Sequence, residues 1–323
     1  MKRLLALVLT ATMSTASWAW QPTKPVNVVI GFAPGSGNEL SFRGVAAIVE
    51  KNNPGVSFVV ENRPGADAAL AMNHFVGLPS NGHHINIASQ QNTWVMGEVL
   101  NRDIARWTPD SFEYAINIAK SPLAIIAHKD SPVNTPQELI RLLETTNRNL
   151  NFAVGSSSHK LAFEYLVNNT KSRKHHILTA NYKGPNQAGQ DVAGGHVEFG
   201  IIPAAIAYQF YKTGKVKIIG LCGEKRLDLI PNVPLMEKYV PGLNVYAGWG
   251  ILLPKNTPRE VVEWYNREFK RAIVSKQAQE FFKQNLMFVE ERELTPDGYH
   301  ASMLVLRHRW QPIARSMDFG NTR

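Results

Sequence analysis

An α/β fold made of two similar units is predicted by three observations. A short apolar strand runs directly into a Gly-rich turn, Gly31-Phe32-Ala33-Pro34-Gly35-Ser36-Gly37-Asn38-Glu39, and then into a helical pattern. A second turn, Glu61-Asn62-Arg63-Pro64-Gly65-Ala66, follows the next strand. The same strand, turn and helix grammar restarts at Asn151. In open α/β sheets such turns gather at the carboxyl edge of the strands, where backbone N–H groups and helix N-termini surround a ligand. The chain is therefore expected to hold a small anion.

The elements can be justified in order. Val26 to Ile30 reads as a buried strand, and Leu40 to Val49 as the following helix, with Leu40, Val45, Ile48 and Val49 at helical spacing. Ser57 to Val60 is the next strand, Ala68 to Phe75 the next helix and Ile85 to Ala88 a third strand. This βαβαβ start requires right-handed crossovers, which place the strand-to-helix turns on one edge. Leu123 to His128 is a further strand, after which Thr135-Pro136-Gln137-Glu138 has the signature of a capping box with Pro at the first helical position.

A second α/β unit then begins. It comprises the strand Asn151 to Val154, the turn Gly155-Ser156-Ser157-Ser158 and a helix from about His159. Ile177 to Tyr182, a turn at Lys183-Gly184-Pro185, a helix from Asn186 to Val192, and strands at Val197 to Ile202 and Val216 to Leu221 complete it. Trp249 to Leu253 returns as a strand, Thr257-Pro258-Arg259-Glu260 repeats the capping-box pattern before a helix through Ile273, and two more helices close the chain. With no low-complexity linker, the units should be joined by extended crossing strands. The expected domains are 20–122 together with 246–323, and 123–245.

Residues 1–19 read as a cleaved export signal: Lys2 and Arg3, an apolar run from Leu4 to Leu9, and Ser17-Trp18-Ala19 as a small-x-small cleavage site. The apolar run is shorter than the roughly 20 residues a bilayer demands. The mature chain should start at Trp20 in the periplasm. It would keep 33 Lys and Arg against 26 Asp and Glu, a field that favours acidic solutes. No long basic cluster interleaved with aromatics is present, so a nucleic-acid partner is not expected. Cys222 is the only cysteine, which rules out an intramolecular disulfide and a cysteine metal cluster. Stability must come from a core that 44% hydrophobic composition can supply.

Six segments in register resemble the Bug or TctC-like solute-binding proteins of tripartite tricarboxylate transporters. They are Gly31 to Glu39, Glu61 to Ala66, Asn151 to Ala162, Tyr182 to Gly184, Gly194 to Glu198 and Trp249 to Pro258, spread over essentially the whole mature chain. The resemblance implies a two-domain periplasmic-binding-protein fold of the Venus-flytrap type, type II-like, which closes on a ligand and delivers it to membrane permease subunits. It also implies that one carboxylate of an organic acid is held by backbone amides and ordered water at Ser36, Gly37 and Asn38. Opposing contacts would come from Ser89 and Gln90 on the near domain, and from Ser156, Ser157, His159, Tyr182 and Gly184 on the far one. Two departures stand out: Asn38-Glu39 replaces the family's frequent Thr-Asp, and Ile201, Ile202, Pro203 and Ala204 replace polar residues. The second favours a ligand with an apolar or aromatic face.

Other chemistries fit less well. Gly35-x-Gly37 lacks the third glycine of a dinucleotide fingerprint and any Gly-Lys-Ser/Thr, so no cofactor is expected. Ser156, Ser157 and His159 invite a hydrolase reading, but no Gly-x-Ser-x-Gly elbow surrounds them. His83-His84 and His175-His176 are adjacent, whereas two ligands on one face need a spacing of two, three or four, so no metal is expected. The leading expectation is a non-enzymatic organic-acid binder serving transport. A sensory protein that uses the same closure to engage a membrane receptor is the alternative, and a periplasmic hydrolase the remote one.

Overall fold

The computed structural model describes residues 20–100 and 103–316. The predicted export signal, residues 1–19, lies outside the described residues. β1 (Val26–Ile30) leads into α1 (Gly37–Asn52), and β2 (Phe58–Asn62) into α2 (Ala69–Phe75). β3 (His84–Ser89) continues into a π turn at Asn92–Met96 and the short α3 (Gly97–Leu100). The 17-residue β4 (Phe112–His128) and α4 (Pro136–Thr145) follow. Next come β5 (Leu150–Val154), α5 (Ser157–Asn168), β6 (Ile177–Asn181), α6 (Pro185–Ala193), β7 (Phe199–Pro203), α7 (Ala204–Lys212) and β8 (Val216–Cys222). β9 (Tyr246–Pro254), α8 (Arg259–Ile273), α9 (Lys276–Gln284) and α10 (Pro296–Ser316) end the described chain.

β1 pairs in parallel with β2 and β3, and β9 lies antiparallel between β3 and β4. On the other side, β5 pairs in parallel with β6 and β7, while β7 and β8 flank β4 antiparallel. β4 is thus shared: Phe112 to Pro122 face β9, and Leu123 to His128 face β7 and β8. A second crossing runs beside it, because Leu123 N–H donates to Val245 O and Val245 N–H to Cys222 O, each at 3.0 Å. Two extended strands side by side therefore carry the chain between the halves. Parallel crossovers in each half put the carboxyl ends of β1, β2 and β3 opposite those of β5, β6 and β7.

Each half has its own aromatic packing. Phe42, Phe58 and Phe269 place their rings 5.4 to 6.0 Å apart between α1, β2 and α8. Phe152 stacks on Phe199 at 5.1 Å, with Phe163 beside it at 5.2 Å. Full burial of such a side chain stabilises by about 1.5–3 kcal/mol.

The helix starts show which local signals hold. At α4 both capping-box bonds form: Glu138 N–H donates to Thr135 Oγ1 at 3.2 Å, and Glu138 Oε2 accepts from Thr135 N–H at 3.2 Å. At α8 the expected box does not form. Pro258 takes the cap position, and the Thr257 hydroxyl turns back to donate to Pro254 O at 2.7 Å. The strand expected at Leu123 to His128 begins eleven residues earlier, at Phe112.

Candidate functional site

The helices α1 and α5 begin opposite each other. Ser36 caps α1 with extended backbone, yet its side chain makes no cap bond; Oγ is buried and has no hydrogen-bond partner. The first N–H groups of a helix have no partner inside it, so Gly37 and Asn38 add donors to the same place, with the positive end of the helix dipole behind them. Asn38 contributes through its backbone only, since its Nδ2 donates to Ile87 O at 2.8 Å and fastens α1 to β3.

Glu39 tightens the Gly-rich turn from behind. Its carboxylate accepts from Gly35 N–H at 3.0 Å and from Arg43 Nε at 2.6 Å. Burial alone would raise its pKa, but the bonds from Arg43, Gly35 and Asn62 outweigh that and hold it below the ordinary carboxylate range.

Across the cleft, Ser156 caps α5, again with no cap bond from its side chain. Its Oγ lies 2.9 Å from Ser158 Oγ. His159 is buried, and its Nδ1 accepts from Gly155 N–H at 3.2 Å. That bond leaves the proton on Nε2, and burial depresses the pKa to about 3. His159 is a neutral donor. His159 N–H donates to Ser156 O at 3.2 Å, but among the described residues its imidazole bonds to neither the Ser156 nor the Ser157 hydroxyl, so the nucleophile and base of the hydrolase reading are not brought together.

Two cavities lie between these elements. The smaller, about 20 Å³, is lined by Ser36, Gly37, Asn38, Ser89, Asn92, Ser156, Ser158, His159, Pro203 and Trp249 among others. It has room for one water-sized group. The larger, about 550 Å³, opens beside it past Phe32 and Ser156 and reaches Asp67, Ser157, Lys160, Tyr182 and Lys183. Phe32, Leu100, Val154 and the turn Ala66 to Ala68 supply apolar surface there.

The cleft is closed. Asp67 accepts from Ser157 N–H at 3.3 Å and from the Ser157 hydroxyl. Asn92 Nδ2 contacts both Asp67 Oδ2, at 2.5 Å, and Ser157 Oγ, at 3.2 Å. Asn186 Nδ2 donates to Gly35 O at 2.8 Å. The bonds of Ser157 to Asp67 and Asn92, and of Asn186 to Gly35, join the two halves of the sheet.

The structure thus gathers Ser36, Gly37, Asn38, Ser89, Ser156 and His159 around the small cavity, and Ser156, Ser157 and Tyr182 around the large one. The Tyr182 hydroxyl is already committed to Asp191 Oδ2 at 2.6 Å, and its pKa is pushed up to about 12 by burial and by that bond. Gly184 lines neither cavity; it passes behind Gly155, where a β-carbon on Gly155 would meet Gly184 C at 2.4 Å. Gln90 faces away, donating to Asn117 Oδ1 at 2.9 Å beside a third cavity of about 150 Å³ near the crossing strands. Of the apolar run Ile201 to Ala204, only Pro203 reaches a cavity, because Ile201, Ile202 and Ala204 are fully buried in the core. The apolar surface expected of the ligand site comes instead from Phe32, Leu100, Val154 and Trp249.

Asp67, Asn92, Lys160 and Trp249 were not singled out from sequence as ligand residues. Asp67 had a usable signal: it continues the Gly65-Ala66 turn at a strand end, where a carboxylate is conspicuous among small residues. Among the described residues no group of three or more His, Cys, Asp or Glu side chains is arranged to hold a metal, and no helix is long and apolar enough to cross a membrane.

Comparison with known proteins agrees with this architecture. The profile of the tripartite tricarboxylate transporter family receptors matches residues 42–306. A Cupriavidus necator relative, described as a UPF0065 protein in the gbd 5' region, is 26% identical over 271 residues, 83% of this chain and 80% of its own. The solved periplasmic binding protein BugD superposes with a TM-score of 0.83 at 25% identity, covering 91% of this chain and 97% of its own. An R. palustris protein solved with adipate gives a TM-score of 0.84 at 21% identity, over 91% of this chain and 97% of its own. The fold is that of the two-domain periplasmic binding proteins.

Proposed function

Because the chain belongs to the tripartite tricarboxylate transporter receptor family, we propose that it captures a small organic acid in the closed cleft and delivers it to the membrane subunits of such a transporter. The observation that carries this reading is the buried, unpartnered Ser36 Oγ at the N-terminus of α1, aimed at a cavity that α5 and the neutral His159 close from the other side. One oxygen of a carboxylate head entering there would meet donors: the Ser36 hydroxyl, the Gly37 and Asn38 amides, and the His159 Nε2–H. Charged acceptors are well served by such sites at helix N-termini. The adipate held by the R. palustris neighbour supports an acid of this general kind.

In this reading the two domains are 20–122 with 246–323, and 123–245, and they hinge where β4 passes from Pro122 to Leu123. Export through residues 1–19 places the protein in the periplasm. The ligand sites are Ser36, Gly37, Asn38, Ser89, Ser156, Ser157, His159 and Tyr182. The protein acts by binding and release and performs no chemistry on its ligand.

The test is a thermal-shift screen of ligand-free protein against organic acids, amino acids, aromatic carboxylates and amides, followed by calorimetry. A cognate acid at a hundred times its dissociation constant should add about 2.7 kcal/mol of stability. A flat response to the whole panel would remove the organic-acid assignment.

A further inference from the structure

Asp67 is a carboxylate placed where an acid-binding cleft has least use for one. Three successive residues, Ala66, Asp67 and Ala68, hold φ at 44°, 53° and 76°, a left-handed run that side chains other than glycine resist. The strained turn brings the carboxyl group to the larger cavity, one hydrogen bond from Asn92, which lines the smaller. Asp67 therefore stands at the seam between the pocket for the acid head and the room for the rest of the ligand.

Its bonding is incomplete in an informative way. Oδ2 accepts from the Ser157 hydroxyl and from Asn92 Nδ2, whereas Oδ1 accepts only a long bond of 3.3 Å from Ser157 N–H. A carboxylate offers about four acceptor positions, so one on Oδ1 is left to be met. Desolvation in the closed cleft raises its pKa, which means that the charged form lacks compensation there. A ligand cation beside it would supply that compensation, and a second ligand carboxylate would compound the deficit.

The geometry points to Asp67 as a specificity-determining residue that selects acids carrying an ammonium group on the carbon next to the carboxylate, and discriminates against acids with a second carboxylate there. The substrate class is then an amino acid with an apolar body, the body filling the 550 Å³ cavity along Phe32, Leu100 and Val154. Lys160 and Lys183 line the same cavity, and they are left intact in every variant of the test. This inference rests on the organic-acid reading of the cleft.

The experiment uses matched trios that share an apolar body and differ only at the adjacent carbon, such as phenylalanine, 3-phenylpropanoate and benzylmalonate, with equivalent trios of branched aliphatic bodies. Calorimetry on the mature chain should rank the amino member about tenfold or more ahead of both others, the effect of one hydrogen bond to a charged group. Asp67→Asn should shrink that advantage to about threefold or less. Asp67→Gly removes the carboxylate while suiting the left-handed backbone, and should behave alike if Asp67→Asn melts too low to assay. A dicarboxylate bound as tightly as its amino counterpart, or a ranking unchanged in both variants, overturns the assignment of Asp67 alone. If no trio member binds while another acid of the panel does, the amino-acid assignment falls and the organic-acid reading stands; if the whole panel is silent, both fall.

Discussion

The α-carbon of Gly37 lies so close to the indole of Trp249 that a β-carbon added there would sit 2.2 Å from Cζ2. Trp249 is buried on β9 between β3 and β4 and has no room to yield. The glycine is thus required by a close approach across 212 positions of sequence, and the approach sets one wall of the small cavity.

Gly37→Ala should overpack this contact and lower stability by about 1–3 kcal/mol, with the indole displaced toward the acid head. Adding Trp249→Leu should recover part of the loss by making space. Urea denaturation of both variants checks this, and a Gly37→Ala protein as stable as the parent would show that the wall is soft. The same clash makes proline at Gly37 a poor probe of its amide. Replacing the Asn38 amide by a backbone ester tests the donor without new atoms.

Strand, turn and helix at β1 to α1 and at β5 to α5 were legible because their signals are local. Apolar runs and turn residues act within a few positions, and the Ser36 and Ser156 turns follow from them. The first half of β4 was not legible. Asn117 and Ser121 are fully buried there, and they are tolerated only because Gln90, Glu293, the Leu286 carbonyl and the Ala205 amide arrive from remote parts of the chain. The orientation of Gln90 was hidden for a similar reason: Gly248, 158 positions away, leaves the space its side chain enters, since a β-carbon on Gly248 would meet Gln90 Oε1 at 2.0 Å. Asp67 was overlooked because the alanines on either side of it argue against a left-handed run, and the contacts from the facing Ser157 and Asn92 account for it.

Beside the crossing strands, Glu293 is fully buried, bonded to Lys120 Nζ at 2.5 Å and to Asn117 Nδ2 at 2.7 Å. Glu293→Ala leaves the Lys120 ammonium, itself largely covered, without its partner. Breaking a buried pair in this way costs about 3–5 kcal/mol. Glu293→Gln keeps an acceptor for Asn117 and should cost less. Equilibrium denaturation would decide it, and equal, small losses for the two variants would show that the pair contributes little to joining the halves.

His159 gives the protein a defined response to acid. Its folded pKa of about 3 lies below the unfolded value of about 6.5. The unfolded chain therefore takes up the proton first as pH falls. The stability that the neutral, buried ring contributes is complete above about pH 6.5 and is lost progressively as pH drops toward 3. Between pH 7 and pH 5 this one group should cost about 2 kcal/mol. His159→Gln retains an acceptor for the Gly155 N–H and does not titrate, so it should lack this component while sharing every other acid effect. Guanidinium denaturation of both proteins at the two pH values isolates the difference. Parallel losses in parent and variant would mean that the imidazole accepts a proton in the folded cleft, and that the donor assigned to Nε2 is a cation.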